Sequence, residues 1–173
     1  PAGGPERMRT AFDYGADAVY AGSPRYSLRA RNNEFAKLDV LQAGITEAHA
    51  RGKKFYLTVN TLPHNSKLKT FVADMEPLVA MKPDALIMAD PGLIMVTRER
   101  WPDMPVHLSV QANTTNYWGV KFWQRIGVER IILSRELSME EIAEIRQECP
   151  DVELEVFVHG ALCIAYSGRC LLS

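Results

Sequence analysis

Short apolar runs alternate with amphipathic stretches along the whole chain. Residues 18–21, 55–59, 85–88, 106–110, 130–133 and 153–158 are each four to six positions long. They favour apolar, β-branched and aromatic side chains and end in turn formers, which predicts buried strands. Between them, 5–14, 38–51, 66–81, 93–101, 115–126 and 138–149 predict helices. Leu38, Leu41, Ile45 and Ala48 form one apolar stripe, and Gly52 ends that helix. Pro5 stands near the start of the first helix, and Pro83, Pro102 and Pro150 follow the ends of later ones. Ser138 and Glu141 have the spacing of a capping box.

Regular strand–helix alternation with short connections implies a parallel sheet, because each return to a parallel neighbour needs a crossover. The expected class is α/β, a (β/α)8 TIM-barrel-like fold over a single domain, 1–173. Pro1 to Gly4 reads as the tail of a strand and a turn, so one strand is expected before Pro1 and another beyond Ser173. On this reading the chain is a piece of a longer protein, an incomplete barrel with first and last strands missing. An open doubly wound sheet is the alternative, but no Gly-x-Gly-x-x-Gly follows any strand.

Composition narrows the class. The length of 173 residues suffices for a sizeable core. A net charge of −1 argues against a generally basic nucleic-acid-binding protein and leaves room only for a local basic patch. No apolar run is long enough to span a membrane, and the N-terminus carries no secretory pattern. Three cysteines, an odd number, do not make a secreted disulfide framework. A cytoplasmic protein without membrane partners is expected.

In a barrel of this kind ligands bind at the C-terminal ends of the strands. Polar residues mark those ends: Ser23, Arg25, Asn60, Asp90, Gln111, Asn113, Ser134 to Glu136, and His159. His159, Asp90 and Gln111 are the catalytic candidates. The long polar loop 22–35 holds Arg25, Tyr26, Arg29, Arg31, Asn32 and Asn33. Guanidinium groups bind carboxylate or phosphate through paired donors. Arg25, Tyr26, Arg29, Arg31, Asn60 and Arg135 are therefore candidate substrate-binding residues; a solvated loop paired with surface carboxylates is the plainer reading. Cys163 and Cys170 follow the last strand. Thiolates suit iron–sulfur clusters or zinc, but two complete neither site, and two buried thiols fit as well on spacing alone. Cys149, at a helix end, reads as structural, as do His49, His64 and His107. No nucleophile elbow and no His-Glu-x-x-His occurs.

The last stretch has a longer pattern: Glu155, Phe157, Gly160-Ala-Leu-Cys163, Gly168, Cys170, Leu172 and Ser173. Upstream stand Tyr20-Ala-Gly22, Tyr26-Ser-Leu-Arg29, Ala89-Asp-Pro-Gly92 and Ser109-Val-Gln-Ala-Asn113. Together these resemble peptidase family U32, the collagenase-like family, over essentially the whole chain, and its bacterial branch concerned with tRNA hydroxylation in particular. The resemblance implies two further cysteines downstream, which with Cys163 and Cys170 would hold an iron–sulfur cluster. It implies a prephenate-dependent hydroxylation of the tRNA wobble uridine at carbon 5, with tRNA and the small carboxylate prephenate as partners. Two other activities follow from the same resemblance: a collagenase-like peptidase, and oxygen-independent hydroxylation in ubiquinone biosynthesis. A binding or scaffold role is a weaker possibility.

Overall fold

The structure is a computed structural model and describes residues 1–28 and 33–160. The chain divides into two compact units, Pro1–Ile87 and Met88–Ser173. The first contains α1 (Pro5–Asp13), β1 (Ala18–Gly22), α2 (Leu38–Ala50), β2 (Lys54–Val59), α3 (Asn65–Leu68) and α4 (Phe71–Ala80). The boundary falls within β3 (Ala85–Met88). The second unit continues with α5 (Pro91–Arg100), β4 (Val106–Leu108), α6 (Tyr117–Arg125), β5 (Arg130–Ile132), α7 (Met139–Glu148) and β6 (Glu153–Glu155).

The hydrogen-bonded strand order follows the chain, β1-β2-β3-β4-β5-β6. β1 runs parallel to β2, from Ala18 opposite Lys54 to Gly22 opposite Thr58. β4 and β5 are parallel with His107 opposite Arg130, and β5 and β6 with Arg130 opposite Glu153. Helices fill the intervals between successive strands, as parallel pairing demands. The fold is therefore α/β of the (β/α) barrel type, with six strands among the described residues, short of the eight that close such a barrel.

Each unit has its own apolar packing. In the first, Phe35 and Phe55 meet edge to face with centroids 5.3 Å apart, and Tyr26 and Phe71 do so at 5.2 Å. Met8, Leu41, Ile45, Leu57 and Met75 are fully buried with them. Asp84, just before β3, ties three elements. Its Oδ2 accepts the Phe55 N–H at 2.8 Å and lies 2.9 Å from His49 Nε2. In the second unit Ile94, Val106, Leu108, Val120 and Ile131 form the buried set.

Helix starts follow local chemistry. Asp90 Oδ1 accepts the Leu93 N–H at 2.9 Å, so α5 begins at Pro91. Asn116 caps α6 through the Gly119 N–H. The expected capping box at Ser138 and Glu141 is present in both directions.

Three elements differ from expectation. The helix expected over 66–81 is split into α3 and α4. Thr70 stands between them as the N-cap of α4, at φ −106° and ψ −4°, and the Lys67 carbonyl accepts the Tyr26 hydroxyl at 3.1 Å. The strand expected over 106–110 ends at Leu108, because the Ser109 side chain takes the Gln111 N–H and starts a short 3-10 turn. The last strand ends at Glu155 and does not reach His159. The Leu133 N–H still donates to the Glu155 carbonyl at 2.9 Å, and the next N–H, that of Ser134, donates to the Thr114 carbonyl.

Candidate functional site

In the first unit, the backbone just beyond β1 and β2 is fixed by a dense hydrogen-bond set. The Ser23 N–H donates to the Thr58 carbonyl at 3.0 Å, and Ser27 Oγ and Thr58 Oγ1 share a bond at 2.7 Å. The Thr61 N–H donates to the Tyr26 carbonyl at 3.0 Å, and the Leu28 N–H to Asn60 Oδ1 at 3.2 Å. From the far side of the loop, Asn33 Nδ2 donates to the Gly22 carbonyl at 2.6 Å, and its Oδ1 accepts the Phe35 N–H. The polar loop is thus anchored at both ends. Asn60 serves as an anchor of that loop. Arg29, Arg31 and Asn32 lie outside the described residues.

Asp74 on α4 organises the neighbouring surface. Its Oδ1 accepts Arg25 Nη1 at 2.7 Å, and its Oδ2 accepts the Tyr26 hydroxyl at 2.9 Å. Burial pushes the Asp74 carboxyl up, but hydrogen bonds from Thr70, Tyr26 and Arg25 outweigh it and hold the group below the ordinary aspartate value. Burial raises the Tyr26 phenol, and the nearby Asp74 charge adds to the rise. Arg25 is thus paired with a carboxylate, while its side chain remains 65% exposed. Beside it opens a pocket of about 360 Å³ lined by Pro24, Arg25, Tyr26, Leu38, Asp74 and Leu78. An apolar floor with the Arg25–Asp74 ion pair and a phenol at its edge suits a small molecule with an apolar body and a polar end.

In the second unit, the candidates follow the ends of β3, β4, β5 and β6. Asp90 spends one carboxylate oxygen on capping α5. Gln111 lies in the 3-10 turn after β4, and Asn113 follows it in the left-handed region at φ 52°. The Ser134 hydroxyl donates to Asn113 Oδ1 at 3.1 Å, joining the turns after β4 and β5. Arg135 places its guanidinium over the Phe157 ring, 4.4 Å from the centroid. His159 is exposed, beyond the end of β6.

The two signature cysteines, Cys163 and Cys170, lie outside the described residues. Cys149 is buried, and its Sγ donates to the Tyr117 carbonyl at 3.7 Å. Burial pushes its thiol up, away from the thiolate form that ligates metal. That is the structural role expected of it. Among the described residues no three His, Cys, Asp or Glu side chains gather as a metal-binding group.

Asp74 and the Asn113–Ser134 bond were not among the sequence candidates. Asp74 looks like any acid in the first turn of a helix, favoured there by the helix dipole. Its partners lie 48 and 49 positions away, a distance no local pattern reports.

Comparison with known proteins gives a family. The model of "Peptidase family U32" matches residues 3–173. "tRNA hydroxylation protein P" of Escherichia coli (strain K12) is 69% identical over all of this chain and 38% of its own length. "23S rRNA 5-hydroxycytidine C2501 synthase" of the same organism is 36% identical over 95% of this chain and 24% of its own. The chain thus spans little more than a third of the first of these relatives, and less of the second. Among solved structures, "The Structure of the U32 Peptidase Mk0906" superposes with a TM-score of 0.72 at 18% identity. It covers 87% of this chain and 64% of that one, a likeness of fold. The matched pattern from Tyr20 to Ser173, the parallel strand order and these similarities agree: the chain belongs to peptidase family U32.

Proposed function

We propose that this chain is part of an enzyme that hydroxylates tRNA, forming 5-hydroxyuridine at the wobble position. The observation that carries the reading is the 69% identity, over the whole chain, to a protein named for tRNA hydroxylation. A relative named for 5-hydroxycytidine synthesis in rRNA supports the same chemistry, oxygen placed on carbon 5 of a pyrimidine. Replacing that C–H by C–OH removes two electrons from the base. The reaction therefore needs a redox partner, which peptide hydrolysis does not.

Cys163 and Cys170 are proposed ligands of an iron–sulfur cluster, their soft thiolates supplying half of the usual complement. The cluster would supply electron-transfer chemistry. Prephenate is the proposed co-substrate, its carboxylates taken by the arginines of loop 22–35. The proposed setting is the cytoplasm; no helix among the described residues is long and apolar enough to cross a membrane.

The test is mass spectrometry of tRNA nucleosides from a deletion strain, complemented with wild type, with Cys163→Ala, or with Arg29→Ala/Arg31→Ala. Wild type should restore 5-hydroxyuridine or its derivatives, and both variants should restore less. Iron content should fall in Cys163→Ala and Cys170→Ala and persist in Cys149→Ala and in the arginine variant. Unchanged hydroxylated uridine in a deletion strain without a redundant enzyme would sink the reading.

A further inference from the structure

Residues 61–70 leave the C-terminal end of β2 and lead through α3 into α4. The segment contains Lys67, Lys69 and His64 and no acidic residue. Elsewhere in the first unit, four described cations are matched, while Arg7, Lys37, Lys54 and Lys82 are exposed with no carboxylate partner among the described residues. Arg9 pairs with Glu47, Arg51 with Asp13 and Glu47, Lys53 with Asp17, and Arg25 with Asp74. Lys67 and Lys69 are exposed, and neither ammonium group has a carboxylate partner among the described residues. What sets Lys67 and Lys69 apart is their place: they follow the C-terminal end of β2, whereas Lys54 begins β2 and Lys82 precedes β3.

The backbone that carries these lysines is held in place. The Tyr26 hydroxyl donates to the Lys67 carbonyl at 3.1 Å, and the Lys67 N–H donates to the His64 carbonyl at 2.9 Å. The Thr61 N–H is held by Tyr26, and the Asp74 N–H donates to the Thr70 carbonyl at 2.8 Å. The segment therefore presents its charge from a fixed position, at the strand ends where this fold binds ligands. Exposed ammonium groups carried on a held backbone complement a phosphate backbone, which they contact as point charges that position the polymer without reading its sequence.

We propose that residues 61–70 form a phosphate-contacting edge for the substrate RNA, with Lys67 and Lys69 as its contacts. The proposal rests on the tRNA reading above and adds to it a surface outside the arginine loop.

The test is fluorescence anisotropy of the full-length protein with an unmodified tRNA transcript across a salt series. Lys67→Ala/Lys69→Ala should bind several-fold more weakly, with the salt slope reduced by roughly 1 to 2. Lys67→Arg/Lys69→Arg should keep wild-type binding. Lys54→Ala/Lys82→Ala, which removes exposed cations at the start of β2 and before β3, should match wild type, and all variants should share its thermal midpoint. A wild type that binds tRNA while the Lys67/Lys69 alanine variant keeps the same affinity and slope overturns this inference alone. A wild type that does not bind tRNA overturns the functional reading with it. Exposed Leu62 and Leu68 flank the lysines, so anionic phospholipid vesicles are the second probe. Loss of vesicle binding in the alanine variant with tRNA binding unchanged would assign the edge to a membrane and refute the RNA contact.

Discussion

The Tyr26 hydroxyl reaches Asp74 Oδ2 at 2.9 Å, joining the loop after β1 to the first turn of α4. The phenol is the buried side of this joint and Arg25 the exposed side. Tyr26→Phe keeps the ring against Phe71 but removes the phenolic proton that Asp74 Oδ2 and the Lys67 carbonyl share. It should cost about 1–3 kcal/mol. Arg25→Ala removes a solvent-screened pair and should cost no more than about 1 kcal/mol. Urea denaturation of both variants checks the order; a larger loss in Arg25→Ala would show the ion pair to be the main fastening.

Acid should loosen the same joint. The Asp74 carboxyl is held below its ordinary value in the folded chain, so the unfolded chain binds the proton more readily. Its contribution is present above the ordinary aspartate value of about 3.9 and is lost as pH falls through the lowered folded value. The stability gap between wild type and Asp74→Asn should therefore be widest above about pH 5 and shrink on acidification. A gap that stays constant down to acid unfolding would contradict this.

Gly44 on α2 faces the Phe35 ring. A Cβ there would lie 2.6 Å from Phe35 Cε1, and that ring is fully buried against Phe55. Gly44→Ala gains helix propensity of about 1 kcal/mol but forces the ring to move. The net result should be a loss of roughly 1–2 kcal/mol, since overpacking a filled core costs about 1–3 kcal/mol. A thermal midpoint above wild type would mean that Phe35 has room to yield.

Cys149 should resist thiol reagents while the chain is folded. In a Cys163→Ala/Cys170→Ala background, its reaction with a disulfide reagent should be slower than in denaturant by about tenfold or more. Burial and the raised thiol value both act in that direction. Equal rates would place the thiol at the surface.

Most of the fold was legible because its signals are local. Apolar runs gave the strands, and Asp90, Asn116 and Ser138 each cap a helix near its expected start. The misses were non-local. Nothing in Val156-Phe157-Val158 reports that the pairing with β5 ends at Glu155, and nothing in 66–81 reports that Tyr26 takes the Lys67 carbonyl. The site divides in the same way. Strand-end positions located Arg25, Tyr26 and Asn60, while Asp74 came only with tertiary structure. The chemistry assigned to Cys163 and Cys170 came from a signature, since two thiols at that spacing fit more than one role.

Asp84 grips His49 and the Phe55 N–H where β2 begins, and Asp74 grips Tyr26 and Arg25 beyond where it ends. The two carboxylates share no partner, and a strand of this length separates them by roughly 15 Å. Damage at one should simply add to damage at the other. A lineage of such proteins can therefore exchange residues around Asp74, altering what the strand ends hold, while the fastening at Asp84 stays untouched. The fastening at the start of the strand and the make-up of the surface beyond its end become separately heritable traits of the same strand.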